Sequence, residues 1–337
     1  MSTLAIWGNR IPTPQRVGNR SSAHFCNRAA RFLARSIRMM KIPLVALRKA
    51  SSTAMAAAVE TIPPPVLSSE FFDHIRHQVY GDSKKVDKIV MTVSLTDETM
   101  TKVLINRNVS TPAHCFNHVS KQFADDAVLC EVTPTVGGAY FSSVNQPLVD
   151  QAEIQKIGID TREHLNLVNE AYWRSCSLVT AAFLKEALNL EDLDFGFRGT
   201  EESVADGFFS VTVKGLDGNV FTSDELNTIN RFGKTFIREE KPLEVLHLPK
   251  SVSEETGIRG DHLVRIGQNV FATEGPVIRS TRQIGRFSIL KSKLTSSGKS
   301  SDVVVGGVSI PYGQPTSSYS WSLIAKNAMN KFSAKNF

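Results

Sequence analysis

The chain has 337 residues, enough for about two domains of ordinary size. Hydrophobic residues make up 41% of it and charged residues 21%, which excludes a wholly disordered or fibrous protein. The net charge of +6 is unevenly distributed: residues 1–59 hold ten basic and no acidic residues, residues 60–274 hold 20 basic and 32 acidic, and residues 275–337 hold nine basic and one acidic. The acidic middle segment would repel nucleic acid, whereas the basic segments at both ends could bind it.

The N-terminal segment has the composition of a mitochondrial transit peptide. It is rich in arginine, contains several serines and lacks acidic residues. Arg28, Arg31, Arg35 and Arg38 lie three or four residues apart and would share one face of a helix, with apolar residues on its other faces. A basic nucleic-acid-binding arm is the alternative. We expect cleavage after import to fall within Arg48–Ala58.

Two further features concern compartment. No apolar run reaches the ~18–20 residues that a membrane-spanning helix needs, so we expect no membrane insertion. The four cysteines, at positions 26, 115, 130 and 176, include no C-x-x-C pair. This pattern favours a reducing compartment with free, buried thiols.

The first structured part of the chain is predicted to be small. Residues 59–85 contain Pro63–Pro65 and predict an extended linker followed by a short helix over Ser69–Tyr80. Residues 86–159 predict a compact α+β unit, whose elements are strands at 89–95 and 103–105, a helix at 112–123, and strands at 128–133, 139–142 and 153–159. A hairpin, a helix and further strands in this order are typical of a β-grasp domain.

Residues 160–312 predict a second α+β domain. It begins with one long helix over residues 160–190, which carries an apolar stripe from Leu165 to Leu188. The elements predicted after this helix are strands at 208–214, 243–248, 262–266, 286–290 and 303–310, and a helix at 223–239. Residues 313–337 add a terminal helix over 319–332 and a tail.

Several short motifs in this order resemble threonyl-tRNA synthetases. The motifs are Tyr172-Trp173-Arg174-Ser175-Cys176-Ser177-Leu178 on the long helix, Ala205-Asp206-Gly207-Phe208-Phe209, Glu274-Gly275-Pro276 and Gly307-Val308-Ser309-Ile310. Over about residues 86–312 their spacings are similar to those of the family's TGS domain and editing domain. The resemblance implies an α+β protein with a TGS-like β-grasp domain followed by an editing-like domain, and without an aminoacylation core.

A narrower resemblance rests on Asn108–Pro112, Val168–Cys176, Arg265–Gly267 and Glu274–Pro276. Together these segments resemble the family of protein thirty-nine of the mitochondrial large ribosomal subunit. That resemblance implies a structural, non-enzymatic component of the mitochondrial ribosome in the matrix. Its partners would be the large-subunit rRNA and neighbouring ribosomal proteins, with no small-molecule substrate. A free mitochondrial tRNA-binding or editing factor is the alternative.

The editing chemistry of the resembled synthetases is expected to be lost. Their editing site uses H-x-x-x-H on the long helix and C-x-x-x-H near the Gly-Pro element. Alignment on these motifs places Arg174, Leu178, Thr273 and Val277 at the four positions. None of these side chains can replace an imidazole or a thiolate as metal ligand or proton carrier. We therefore expect no catalytic residue.

Two other candidate sites have ordinary explanations. His114, Cys115 and His118 could face one side of a helix as zinc ligands, but we prefer to place them on an ordinary β-grasp helix without metal. Tyr172 and Trp173 could stack on RNA bases, but large aromatic residues on a long helix are more often core anchors. No phosphate-binding glycine motif is present, so no cofactor is expected.

The basic C-terminal segment is the candidate RNA contact. Clusters of lysine and arginine without acidic neighbours bind phosphates through the release of counterions. The residues predicted to contact rRNA are Arg279, Arg282, Arg286, Lys291, Lys293, Lys299, Lys326, Lys331 and Lys335. An ordinary solvated surface is the alternative. The charge polarity of the chain predicts that RNA contacts it from one side only.

Overall fold

A computed structural model describes residues 66–81, 87–96, 99–189, 193–295 and 302–337. The predicted transit peptide, Pro63–Pro65 and Lys299 lie outside these ranges. The described residues all belong to one unit, Thr61–Phe337, with a mixed α+β fold and three sheets. No helix in the described ranges is long and apolar enough to cross a membrane.

The first sheet follows a short helix and has five strands. The elements are helix α1 (Ser69–Tyr80), strands β1 (Lys88–Thr96) and β2 (Thr99–Asn106), helices α2 (Pro112–Val119) and α3 (Lys121–Asp125), and strands β3 (Ala127–Pro134), β4 (Tyr140–Ser143) and β5 (Ala152–Gly158). The strand order is β2-β1-β5-β3-β4, with β1 and β5 parallel and the other pairs antiparallel. Met91 and Ile154 of the sheet pack against Phe116 of α2 in a core of their own.

The helix predicted over residues 112–123 is two helices instead of one. Ser120 has an extended backbone, with φ −166° and ψ 156°, and this ends α2. Its hydroxyl accepts a hydrogen bond of 3.0 Å from the amide of Phe123, which makes Ser120 the N-cap of α3. Serine competes with the helix for backbone hydrogen bonds, so it favours a break here.

The second half of the unit starts with the long helix α4 (Leu165–Leu188), preceded by a 3₁₀ turn over Arg162–His164. The apolar stripe predicted for this helix is buried from Val168 to Phe183, whereas Leu165 at its start is 47% exposed and Leu188 at its end is partly buried. Tyr172 is buried and shares a hydrogen bond of 2.7 Å with the Ser309 hydroxyl. Trp173 is partly buried and packs on Phe209, with ring centroids 5.8 Å apart. Both residues are core anchors.

Two further sheets pack around α4. The elements are β6 (Asp194–Phe197), α5 (Thr200–Asp206), β7 (Phe209–Lys214), α6 (Ser223–Arg238), β8 (Leu243–His247), α7 (Lys250–Thr256), β9 (His262–Ile266), β10 (Asn269–Thr273), β11 (Ile284–Leu294) and β12 (Val303–Pro311). One sheet has the order β10-β9-β8 and the other β11-β12-β7-β6. Strands β6 and β10 and helices α5 and α7 are short elements that the sequence pattern did not predict.

The terminal helix α8 (Ser318–Ala334) covers the outer face of the four-stranded sheet. Phe332 lies directly over Gly306 of β12, where a Cβ atom would come within 2.4 Å of its ring. Phe332 also meets Phe208 edge to face, with ring centroids 5.6 Å apart. Only glycine at position 306 lets the helix approach the strand this closely.

Candidate nucleic-acid interface

Arg174, Leu178, Thr273 and Val277, the positions that the resemblance to synthetases singled out, lie on α4, at the end of β10 and in the loop that follows β10. Leu178 and Val277 are both buried in the main hydrophobic core, 1% and 0% exposed. Thr273 is the last residue of β10. Backbone hydrogen bonds tie the loop down, since the Ile278 amide donates to the Ser175 hydroxyl at 2.9 Å. This region is built as core rather than as a cleft.

Arg174 fills the space beside this loop. One guanidinium nitrogen donates to the Pro276 carbonyl at 2.6 Å, and the other reaches the Thr200 hydroxyl at 3.5 Å. Gly275, with φ +83°, leaves room for the guanidinium, because a Cβ there would lie 3.1–3.3 Å from it. Burial lowers the Arg174 pKa, and nearby carboxylates, Glu170 first, oppose this shift. Arg174 therefore ties α4 to the loop.

The neighbouring carboxylate Asp261 fixes the same loop. It accepts hydrogen bonds from the Gly275 amide at 2.7 Å and from Nδ1 of His262 at 2.6 Å. Burial raises the pKa of Asp261, but these hydrogen bonds outweigh it and bring the pKa down to about 2. Asp261 holds the backbone at Gly275 and His262 holds the Asp261 carboxylate, so the pair has a structural explanation.

The possible zinc ligands of α2 also have local partners. His114 takes part in the helix cap, because its Nδ1 accepts from the Thr111 amide at 3.1 Å. Burial raises the pKa of the Cys115 thiol to about 12. In the described part of the chain no group of three or more His, Cys, Asp or Glu side chains is arranged to hold a metal ion.

Several of the nine basic residues predicted to contact RNA face other parts of the protein. Arg279 forms an ion pair of 3.2 Å with a carboxylate of α3. Lys293 donates to the Phe332 carbonyl at 2.8 Å. Lys335 forms an ion pair of 2.6 Å with Asp206, and Lys331 donates to the backbone oxygen of the same residue at 3.0 Å. Lys293, Lys331 and Lys335 thus hold α8 against the rest of the protein, and Arg279 ties its segment to α3.

The other predicted contacts that the structure describes are Arg282, Arg286, Lys291 and Lys326, and all four are exposed. Lys291 and Lys326 have no ion pair within the described ranges. Arg286 donates to the Ser317 carbonyl at 3.3 Å. Their charges are therefore largely available to a partner.

Arg282 and Arg286 lie on a groove that also contains basic residues of α6. The groove has a volume of about 670 Å³ and is lined by Lys234 and Arg238 of α6 and by the loop that begins at Tyr312. Asn230 sets α6 beside β11, because its amide oxygen accepts from the Ile289 amide at 2.7 Å and its amide nitrogen donates to the Ile289 carbonyl at 2.9 Å. These two hydrogen bonds help to hold Lys234 and Arg238 of α6 near Arg282 and Arg286.

Lys234 and Arg238 were missed because they lie in the acidic middle of the sequence. With Arg231 they follow the spacing i, i+3 and i+7, which places all three on one face of a helix. That spacing was the signal that could have revealed them. All three are exposed, and none forms an ion pair within the described ranges.

The groove carries a net positive charge. Its lining contains four cations and a single carboxylate, Glu240. Arg282 is the only one of the four cations near a carboxylate within the described residues, 3.6 Å from Glu240 and 3.8 Å from Asp125. Such weak, exposed pairs are readily exchanged for a stronger anion. The arrangement can bind a phosphate-bearing ligand.

Comparison with known proteins relates the chain to a ribosomal protein. No family model matches the chain. The large ribosomal subunit protein mL39 of Drosophila melanogaster is 24% identical over 255 residues, which span 68% of this chain and 73% of that protein. The chain is thus similar to a component of a large ribosomal subunit over most of its length.

Proposed function

We propose that the protein is a structural component of the large subunit of the mitochondrial ribosome, without catalytic activity. The similarity to mL39 over 68% of the chain carries this proposal. It supports a location on the mitochondrial ribosome in the matrix, where rRNA and neighbouring ribosomal proteins would be the partners. Residues 1–58 would then serve as the transit peptide.

We further propose that the chain is an inactive relative of threonyl-tRNA synthetase, with a TGS-like domain at 86–159 and an editing-like domain at 160–312. The strand order β2-β1-β5-β3-β4, with α2 packed on the sheet, supports a β-grasp arrangement for the TGS-like domain. The contact of Arg174 with the Pro276 carbonyl at 2.6 Å supports the loss of the editing site, since the resemblance aligns this guanidinium with a catalytic imidazole.

The test is sedimentation of a mitochondrial extract through sucrose gradients at moderate and high salt, with the protein followed by antibody. We expect it to migrate with the large subunit at moderate salt. Release at high salt would indicate a mainly electrostatic contact with RNA. Migration at the top of both gradients would contradict the ribosomal function and favour a free factor.

A second assay separates the free-factor alternatives. Purified protein is incubated with tRNA that carries a mismatched amino acid, and ester hydrolysis is followed over time. We expect the rate without protein and the rate with protein to be equal, because the four aligned positions hold Arg174, Leu178, Thr273 and Val277. Accelerated hydrolysis would overturn the assignment as an inactive relative.

A further inference from the structure

The groove between α6 and β11 is lined by cations from two parts of the chain. Lys234 and Arg238 come from the helix, while Arg282 comes from the turn before β11 and Arg286 from β11 itself. A polyanion lying in the groove would therefore meet positive charge from both. Arginine can also bind a phosphate with two parallel hydrogen bonds, which fixes the orientation of the ligand.

An aromatic ring stands at the rim of the same groove. Tyr312 is 65% exposed and makes no ring contact with another described residue. Its backbone is fixed, because its amide donates to the Gln283 carbonyl at 2.9 Å and Gly313 turns the chain directly after it with φ +86°. The ring is thus presented to solvent from an anchored position.

Cations together with an exposed ring match unpaired RNA better than they match a duplex. The bases of an A-form duplex are stacked inside it, so Tyr312 could meet only the end of such a helix. Unpaired bases expose their faces, and aromatic rings and guanidinium planes bind those faces without regard to sequence. The volume of about 670 Å³ lies within the roughly 300–1,000 Å³ of pockets for small organic ligands, so it suits a few nucleotides.

We propose that this groove binds an unpaired RNA segment, with phosphates on Lys234, Arg238 and Arg286 and one base stacked on Tyr312. The inference rests on the proposed function, which makes the large-subunit rRNA the source of the segment. It adds the α6 cations to the RNA contact and gives Tyr312 the role of base platform.

The affinity of the full chain for a fluorescein-labelled single-stranded RNA of twelve nucleotides is measured by fluorescence anisotropy, over a series of salt concentrations. A hairpin with the same stem sequence serves as the duplex probe. Residues 1–59 are basic and add a background common to all variants, so the variants are compared with one another. We expect the wild-type chain to bind the single strand more tightly than the hairpin.

The phosphate contacts are tested with the double variant K234A/R238A. We expect the slope of log affinity against log salt to decrease by about 1.4, because each phosphate contact with a single strand contributes about 0.7. The matched control is K250A/R259A, which removes the same charge from two exposed residues outside the groove lining and should leave the slope unchanged. An equal decrease in both double variants would overturn the proposal.

The stacking contact is tested with Tyr312→Ala and Tyr312→Phe. Loss of the ring should weaken single-strand binding about fivefold to a hundredfold, whereas Phe keeps the ring and should bind as the wild type does. Unchanged affinity of Tyr312→Ala would overturn the base platform. Equal competition by polyglutamate and by unlabelled RNA would also overturn the proposal, because it would show a site for any polyanion.

Failure of the groove and failure of the ribosomal function are distinguishable. If the groove variants bind RNA like the wild type while the wild-type chain sediments with the large subunit, only the groove proposal is wrong. If the variants lose RNA binding but the wild-type chain stays at the top of the gradient, only the ribosomal function is wrong.

Discussion

Two regions of this protein use arginine in opposite ways. Around the loop after β10, Arg174 is partly buried and bound to the Pro276 carbonyl at 2.6 Å, among several carboxylates. In the groove beside α6, Arg238 and Arg286 are exposed and have no carboxylate partner within the described residues. Arg174 fills the space beside the loop after β10, whereas Arg238 and Arg286 leave the groove open and keep their charges unpaired by the described carboxylates.

The difference shows that a cation can bind a partner only when the fold leaves its charge unpaired. Lys293, Lys335 and Arg279 belong to the same basic segment as Arg286, yet the fold has already assigned them to carbonyls and carboxylates of the protein itself. The density of basic residues along the chain does not distinguish free from paired cations. Their partners in the folded protein distinguish them.

The largest loss of stability is expected from a polar substitution in the buried core beside the loop after β10. Leu178→His should lower the free energy of unfolding by about 3–5 kcal/mol, because a side chain 1% exposed would be replaced by a polar ring without a partner. Chemical denaturation by urea measures the change. Leu323→His on α8, where the leucine is 44% exposed, is the control and should cost less than about 0.5 kcal/mol. Equal losses would show that the region is not core.

Removal of the closing arginine should have a smaller effect. Arg174→Ala leaves the Pro276 carbonyl without its charged donor and should cost about 2 kcal/mol of unfolding free energy. Arg231→Ala, at an exposed position of α6, should change it by less than about 0.5 kcal/mol. The two urea midpoints are compared at the same pH. A neutral Arg174→Ala would mean that the guanidinium does not stabilise the loop.

The loop should also confer a modest sensitivity to acid. The Asp261 pKa is depressed to about 2, below its ordinary value, so the carboxylate contributes stability that is present above about pH 4 and is lost as the pH falls through 4 toward 2. Because the side chain is 53% exposed, solvent screening limits the contribution to less than about 1 kcal/mol. Asp261→Asn should flatten this part of the pH–stability curve. An unchanged acid limb in the variant would contradict the role of Asp261.

The smallest change in stability is expected from a substitution in the groove, and this one should stabilise the protein. Lys234 and Arg238 are like charges four residues apart on α6, so Lys234→Gln should raise the free energy of unfolding by about 0.2–0.5 kcal/mol at low salt. The gain should disappear in high salt. Lys326→Gln on α8 is the control and should show no gain, because no basic residue lies three or four positions from it. Destabilisation by Lys234→Gln would show that this lysine has a partner in the free protein.

Much of the secondary structure could be predicted, because it depends on local periodicity. The stripe on α4 and the strands β8, β9 and β12 were predicted within a few residues of their observed bounds. The break at Ser120 was not, because it depends on a side-chain cap rather than on the spacing of apolar residues. The short strand β10 was missed as well, since its role appears only when it pairs with β9.

The sequence by itself determined the α+β composition, the charge polarity and the absence of histidine and cysteine from positions 174, 178, 273 and 277, since these follow from residue type and order. Tertiary structure alone decided which cations are free. Asn230 joins α6 to β11 and Thr281 joins it to the preceding turn, and these tertiary contacts bring Lys234 and Arg238 beside Arg282 and Arg286, which come later in the chain. The physical reason is that the availability of a charge depends on its distances to other charges, and folding sets those distances.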